Sequence, residues 1–193
     1  APASARGALP APVDATGLIR GMFLRQSDRP SPGLGTLPPD WLDGALLTRT
    51  LRAVLASGDE ALALRYSEPA GDAALREVLA GRLGDIGVRA APGQLVTACG
   101  ATHALDIVSR ALLAPGDAVL VDEPGWAVEY ARLTQLGMRL LPVPRGADGP
   151  DLTVMEALAK AHRPRLYVTV SVLHNPTGHN LSAAAAHRVL QLA

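Results

Sequence analysis

The chain has 193 residues, with 18 basic and 18 acidic side chains, a formal net charge of zero and 48% apolar residues. This length is ample for a buried core, and the balanced charge argues against nucleic-acid binding by this segment, since that requires clustered Lys and Arg. Cys99 is the only cysteine, so no internal disulfide can form. No apolar run approaches the roughly 18 residues that span a membrane, and the N-terminal residues lack a signal-peptide pattern. We therefore expect a cytoplasmic protein without membrane contact.

The first 39 residues are rich in Pro, Ala, Gly and Ser and show little hydrophobic periodicity. Such a composition favours extended chain with few packing contacts, so we interpret residues 1–39 as a linker or arm. Only Gly17–Phe23 is apolar enough to dock, as a short strand or turn. The chain begins at Ala1 rather than Met, which suggests a processed piece of a longer protein.

Residues 40–90 are predicted to form a helical segment. Apolar residues recur every three or four positions from Trp41 to Ala56, and Asp40 is placed to cap this helix. A turn cluster at Tyr66-Ser-Glu-Pro-Ala-Gly71 follows. Asp72 then opens a second helix, Ala73 to about Asp85.

The rest of the chain alternates β-rich runs with helical stretches. The predicted strands are Gln94–Ala98, Ala118–Val121, Arg139–Val143 and Leu166–Val170. The predicted helices are Thr102–Leu113, Trp126–Leu136, Leu152–Ala161 and one that begins near Ser182. Strands that alternate with helices of about 10 to 15 residues indicate βαβ units, so we predict the α/β class with a largely parallel sheet.

The first candidate site is the stretch Thr97-Ala-Cys-Gly-Ala-Thr-His-Ala-Leu105, in which a strand ends at Gly100 and a helix begins. The backbone N–H groups of Ala101 and Thr102 would then lie at a helix N-terminus, where unpaired donors and the helix dipole favour an anion. An ordinary βα turn, in which Thr102 caps its own helix, is an equally good interpretation of this motif alone.

Two further strand ends carry planar or polar groups. A buried strand leads through Pro-Gly to Trp126, whose indole offers a flat face to a heteroaromatic ring. The next polar turn is Leu173-His-Asn-Pro-Thr-Gly178, in which Asn175 presents an amide suited to a phenolic oxygen or carboxylate. Ligands of open α/β sheets bind at the carboxyl ends of strands, which is where these turns are predicted. Half-buried packing of the Trp and a routine Asn-Pro turn are the plainer alternatives.

Other catalytic patterns are missing from the sequence. It contains no Gly-x-Ser-x-Gly elbow, no P-loop and no Gly-x-Gly-x-x-Gly fingerprint. Asp122 and Glu123 are adjacent on a strand and would face opposite ways, so they do not form an acid/base pair. His174 and His179 have no acidic or cysteine partner nearby, so we expect no metal site.

Jointly, these motifs resemble the fold-type I pyridoxal-phosphate enzymes, the class I/II aminotransferases, and most closely the aminotransferase-like domain of MocR-type GntR-family transcriptional regulators. The similarity runs from about Leu34 to Ala193. It rests on motifs in family order and spacing: Tyr66-x-x-Pro-x-Gly71 with Leu75-Arg76, Gly100-Ala-Thr-His-Ala-Leu105, Leu113-x-Pro-Gly-Asp117, Asp122-Glu-Pro-Gly-Trp126 and Asn175-Pro-Thr-Gly178. It implies a three-layer α/β/α major domain, of which residues 91–193 would be the first, incomplete part.

The resemblance also implies a pyridoxal 5'-phosphate site. The backbone around Gly100–Thr102 would hold the cofactor phosphate, with Gly100, Ala101 and Thr102 as its residues. Trp126 would stack on the pyridine ring, and Asn175 would hydrogen-bond the phenolic oxygen. In this family Tyr66 commonly reaches across a homodimer to the neighbouring subunit's phosphate.

The sequence departs from the family in one respect. The Schiff-base lysine, the acidic residue at the pyridine nitrogen and the arginine for the substrate carboxylate all follow the Asn-Pro-Thr-Gly segment in the family. This chain stops at Ala193, and its only lysine, Lys160, precedes that segment in a helix predicted to face solvent. We therefore expect no covalent cofactor attachment, no catalytic residue and no transamination by this chain alone. Strand Gln94–Ala98 would also lack neighbours from the later half, so we expect 1–193 to be part of a longer polypeptide.

Three functions remain open. The first is the pyridoxal-phosphate-binding effector domain of a MocR/GntR-type regulator, which senses the cofactor or an amino compound, dimerises in the full-length protein and contacts DNA only through a domain not present here. The second is a fragment of a free-standing class I/II aminotransferase that transfers an amino group between an amino acid and a 2-oxo acid. The third is an α/β interaction domain. The linker-like residues 1–39 favour the first.

Overall fold

The computed structural model describes residues 14–23, 37–58, 64 and 66–192. Its α-helices are α1 (Ala15–Phe23), α2 (Gly44–Ala56), α3 (Ala73–Asp85), α4 (Ala101–Leu112), α5 (Ala127–Gln135), α6 (Leu152–His162) and α7 (Ala183–Leu192). Its strands are β1 (Ala118–Glu123), β2 (Arg139–Gly146), β3 (Gly149–Pro150) and β4 (Leu166–Val168). Within these ranges, no helix combines the length and the apolar character needed to cross a membrane.

The strands form one sheet in the order β3-β2-β1-β4. β1 pairs in parallel with both neighbours, so that Val119 lies opposite Leu140 on one side and Leu166 on the other. β2 and β3 pair antiparallel as a short hairpin, which the sequence did not predict. The parallel pairs confirm the predicted α/β class and largely parallel sheet.

Both faces of the sheet are covered by helices. One cluster of buried side chains joins β1 and β2 to α6 and α7, with Leu120, Leu141, Val143, Met155 and Val189. The other joins β1 to α5 and to the residue before β2, with Val119, Val121, Leu133 and Met138. Burying a side chain of this size stabilises a fold by about 1.5–3 kcal/mol, so these clusters hold the helices on the sheet. The result is a helix–sheet–helix arrangement of three layers.

The chain divides into two compact units. One combines Ile107–Ala193 with the N-terminal stretch that contains α1, and it holds the sheet of the described residues. The other lies within Ser31–Asp106 and contains α2 and α3.

The strand predicted at Gln94–Ala98 is wrong. A 3-10 turn at Pro92–Gln94 is followed by extended chain, and none of it belongs to the sheet of the described residues. The N–H of Thr97 donates to the carbonyl of Ala70 at 3.0 Å, which is a loop contact and not a strand ladder. Extended backbone becomes a strand only beside another strand, and no described strand lies beside this stretch.

The N-terminal predictions are corrected in part. Gly17–Phe23 lies in helix α1, and not in a strand or turn, because the carboxylate of Asp14 accepts the N–H of Gly17 at 2.9 Å and caps the helix. Most of the predicted linker, residues 1–13 and 24–36, falls outside the described residues.

The cap predicted for the next helix is also wrong. Asp43, and not Asp40, caps α2 by accepting the N–H of Leu46 at 2.7 Å. The predicted Asp72 cap of α3 is confirmed, with a 2.9 Å bond from the N–H of Leu75. The remaining predicted helices and strands are confirmed with small shifts of their ends.

Candidate functional site

Two of the predicted site residues lie at the carboxyl ends of neighbouring strands. β1 ends at Glu123, and Trp126 follows at the N-cap of α5, where its side chain is half-buried. β4, which pairs with β1, ends at Val168, and the exposed Asn175 lies in the loop after it. The fold therefore presents an indole and an amide at the same edge of the sheet.

Backbone hydrogen bonds close the loop that carries Asn175. The N–H of His174 donates to the carbonyl of His179 at 3.0 Å. Inside this closure, the N–H of Gly178 donates to the carbonyl of His174 at 2.6 Å. Asn175 therefore sits in a tight turn whose first residue is His174.

The His174 side chain anchors this turn on the sheet and is only 2% exposed. Its Nδ1 lies 2.9 Å from the Thr177 hydroxyl, and its Nε2 lies 3.4 Å from Oδ2 of Asp122 on β1. Burial and the nearby Arg145 guanidinium lower the pKa of His174, against a smaller opposing effect of Asp122. The imidazole is therefore favoured in its neutral form.

Asp122 is the centre of a buried polar cluster. Its Oδ2 accepts hydrogen bonds from Nη1 of Arg145 at 2.8 Å and from the Thr169 hydroxyl at 2.7 Å. Its Oδ1 accepts the hydroxyl of Tyr167. Asp122 is 3% exposed, whereas Glu123 is exposed, which confirms that the two carboxylates face opposite ways.

Sequence reasoning did not find Arg145 as a partner of Asp122. The signal is present in β2, where Leu141, Val143 and Arg145 alternate with exposed residues and are all buried. A charged residue in the inward register of a strand requires a charged partner, because an unpaired buried charge is costly. The neighbouring strand offers Asp122.

The predicted anion turn opens α4 in the second unit. Gly100 has a φ of +99°, and its carbonyl accepts the first helical hydrogen bond, at 3.1 Å. The N–H groups of Ala101 and Thr102 precede that bond, so they lie outside the helical ladder. The cap contact comes from His103, whose Nδ1 accepts the N–H of Cys99 at 3.0 Å. Donors suited to an anion are therefore present at this turn.

Arg76 holds the turn that carries Tyr66. Its guanidinium donates to the carbonyl of Gly71 at 3.1 Å, to the carbonyl of Pro92 at 3.2 Å and to the Glu68 carboxylate at 2.7 Å. The Tyr66 side chain is fully exposed. Tyr66 therefore lies just before a turn that Arg76 holds, and its ring is open to solvent.

Lys160 faces solvent, as predicted. Its Nζ pairs with Glu156 at 2.7 Å on the surface of α6, and its side chain is 75% exposed. A lysine that bonds covalently to a cofactor has to enter a sheltered site, so this residue does not fit that role.

The profile of the family "Aminotransferase class I and II" matches residues 36–193. The 2-aminoadipate transaminase of Thermus thermophilus is 38% identical over 133 residues, which are 68% of this chain and 32% of that protein. The HTH-type transcriptional regulator YisV of Bacillus subtilis (strain 168) is 26% identical over 160 residues, 83% of this chain and 32% of that protein.

A solved structure shares the fold. The α-aminoadipate aminotransferase LysN from Thermus thermophilus, complexed with N-(5'-phosphopyridoxyl)-L-leucine, superposes with a TM-score of 0.70 at 34% identity, covering 82% of this chain and 39% of that one. The chain thus spans about a third of the length of the curated relatives it matches, which include both aminotransferases and regulators. With its three layers of helices, sheet and helices and a family match over residues 36–193, this chain belongs to the aminotransferase class I and II family.

Proposed function

We propose that this chain is the pyridoxal-phosphate-binding part of an aminotransferase-like effector domain in a MocR/GntR-type transcriptional regulator. The observation that carries the proposal is the placement of Trp126 and Asn175 at the carboxyl ends of the adjacent parallel strands β1 and β4. An aromatic face and an amide at this edge are what a planar ring with a phenolic oxygen requires.

The chemistry of the side chains and backbone groups fits the cofactor. Trp126 would stack on the pyridine ring, Asn175 would donate to its phenolic oxygen, and the N–H groups of Ala101 and Thr102 would hold its phosphate. Bound pyridoxal phosphate supplies an electron sink for reactions of amino compounds. The residues of this chain would bind and orient the cofactor. The proposed effector is an amino compound or the cofactor itself.

One similarity favours a regulator. The HTH-type transcriptional regulator YisV is similar over 83% of this chain. The alternative is part of a free-standing aminotransferase that moves an amino group between an amino acid and a 2-oxo acid, which the 38% identity to a 2-aminoadipate transaminase supports. In both cases the exposed Tyr66 suits a homodimer, in which it would contact the partner's phosphate. We propose a cytoplasmic location, and DNA contact only through another domain.

Trp126 fluorescence tests cofactor binding directly. The Trp41→Phe variant leaves Trp126 as the only tryptophan, because Trp41 is the other of the two. Pyridoxamine 5'-phosphate is the probe, since its amine does not react with lysine. We expect weak, saturable quenching of Trp126 emission, and weaker affinity when Asn175→Ala is added. Quenching that does not saturate, or that is equal in a Trp126→Phe variant emitting from Trp41, would show that the site is elsewhere.

A second experiment separates the regulator from the enzyme. The gene is sequenced upstream of the codon for Ala1. A basic helix-turn-helix segment in the same reading frame supports the regulator. A start codon a few residues upstream would instead leave the free-standing aminotransferase.

A further inference from the structure

The loop from residue 171 to residue 181 has one buried side chain, that of His174. The residues beside it are exposed, including Asn175 on one side and Leu173 on the other. The His174 imidazole connects this loop to the buried cluster around Asp122. A buried group in that position is placed to hold the turn on the sheet.

The chemistry of its neighbours fixes which nitrogen of His174 carries the proton. Asp122 accepts from Arg145, which is always charged, so its carboxylate presents negative charge to Nε2 at 3.4 Å. An N–H directed at this charge is favourable and a lone pair is not. Nδ1 is then the unprotonated nitrogen and accepts the hydroxyl of Thr177 at 2.9 Å.

We propose that His174 is a positioning residue for Asn175, acting as a neutral imidazole with its proton on Nε2 that links Asp122 to Thr177. The proposal rests on the proposed function in one respect, namely that Asn175 contacts the ligand. The mechanical argument is independent of the ligand. His174 and Thr177 flank the turn, and the carbonyl of His174 accepts the N–H of Gly178, so a rotated imidazole would displace the Asn175 amide.

Nuclear magnetic resonance of the ligand-free chain, labelled with ¹⁵N in its histidine rings, tests the link itself. At neutral pH we expect the His174 ring to be the Nε2–H tautomer, with an Nδ1 shift that changes in Thr177→Val. Thr177→Ser keeps a hydroxyl, so its Nδ1 shift should stay close to that of the wild type. The proposal would be overturned by a charged ring, by the Nδ1–H tautomer, or by an Nδ1 shift that does not change in Thr177→Val.

The affinity for pyridoxamine 5'-phosphate tests the effect on Asn175, in the Trp41→Phe background. A net hydrogen bond is worth a factor of roughly three to ten in affinity, so we expect Thr177→Val to weaken binding by that factor. Thr177→Ser should restore it to within about twofold of the wild type. Equal affinities in all three proteins would contradict the positioning role. Absence of binding by the wild type would contradict the proposed function instead, and the ring tautomer would still decide the link.

Discussion

Arg145 and Asp122 form an ion pair inside the protein, with Nη1 2.8 Å from Oδ2 and with side chains 0% and 4% exposed. The pair joins β2 to β1 where β1 ends, just before the turn that leads to Trp126. The Thr169 hydroxyl and the Tyr167 hydroxyl bind the same carboxylate from the β4 side. The carboxyl ends of three adjacent strands are thus fixed to one another by a single aspartate.

Replacing Arg145 by Met should destabilise the sheet unit by about 3 kcal/mol, because the Asp122 carboxylate would stay buried without its cation. Urea unfolding, followed by Trp126 emission in the Trp41→Phe background, measures the free energy of unfolding. Lys160→Met is the matched control, since it removes an exposed pair with Glu156 and should leave the free energy of unfolding nearly unchanged. An equal change in the free energy of unfolding for the two variants would show that the buried pair does not hold the strand ends together.

Gly125→Ala should destabilise the same unit by about 1–3 kcal/mol through overpacking. A Cβ at this position would clash with the Tyr130 hydroxyl and lie 2.7 Å from the carbonyl of Asp122, so the turn before Trp126 would have to shift. Gly146→Ala, where a Cβ meets nothing within 4 Å, should be close to neutral. The two melting temperatures compare the variants, and a neutral Gly125→Ala would show that the turn is not tightly packed.

Acid should weaken the fold through His174. Burial and Arg145 lower the pKa of His174 below its ordinary value of 6.5, so the unfolded chain binds its proton first as the pH falls. The stabilisation is therefore complete above about pH 6.5 and is lost on acidification until the folded-state pKa is reached.

His174→Gln isolates this effect of pH. The charged and titratable groups that act on the ring are Asp122 on β1, Arg145 on β2 and His179 in the loop, and all three are present in both proteins. The difference in the free energy of unfolding between wild type and His174→Gln should shrink as the pH falls below 6.5. A difference that grows on acidification would mean that the folded protein stabilises the charged ring, and a constant difference would mean that folding does not lower the pKa of His174.

Arg76→Lys should loosen the Tyr66 turn, because a lysine cannot reproduce the three separate bonds that the guanidinium makes to this turn and to Pro92. We expect a loss of about 1–2 kcal/mol in local stability, seen as faster hydrogen exchange at the Gly71 N–H. Arg82→Lys is the control, because Arg82 is exposed on the same helix. An unchanged rate of hydrogen exchange at the Gly71 N–H in Arg76→Lys would show that Arg76 does not support this turn.

The features that the sequence predicted correctly are those set by local chemistry. The Asp72 cap needs only a carboxylate before an amphipathic run, and β1 needs only a continuous apolar stretch. Gln94–Ala98 has the same β-rich character as β1, but a strand also requires a neighbour, which is information from distant parts of the chain.

For the candidate site, the turns were predicted from the sequence, whereas the buried contacts behind them were not. The turns that carry Trp126 and Asn175 were found because strand ends and Pro-Gly signals are local. The buried partnership of Asp122 with Arg145 depends on the register between two strands, which one strand's sequence does not contain. His174 was considered as a metal ligand and set aside, and its link to Asp122 required the fold.

Amide chemical shifts during a titration with pyridoxamine 5'-phosphate test the cofactor site most directly. If one ligand occupies the site, the backbone N–H groups of Ala101 and Thr102, the Trp126 indole N–H and the Asn175 side-chain amide should shift with the same dissociation constant. Pyridoxamine without the phosphate should leave the first two unchanged. Shifts that do not saturate, or that spare Trp126 and Asn175, would contradict a pyridoxal-phosphate site in this chain.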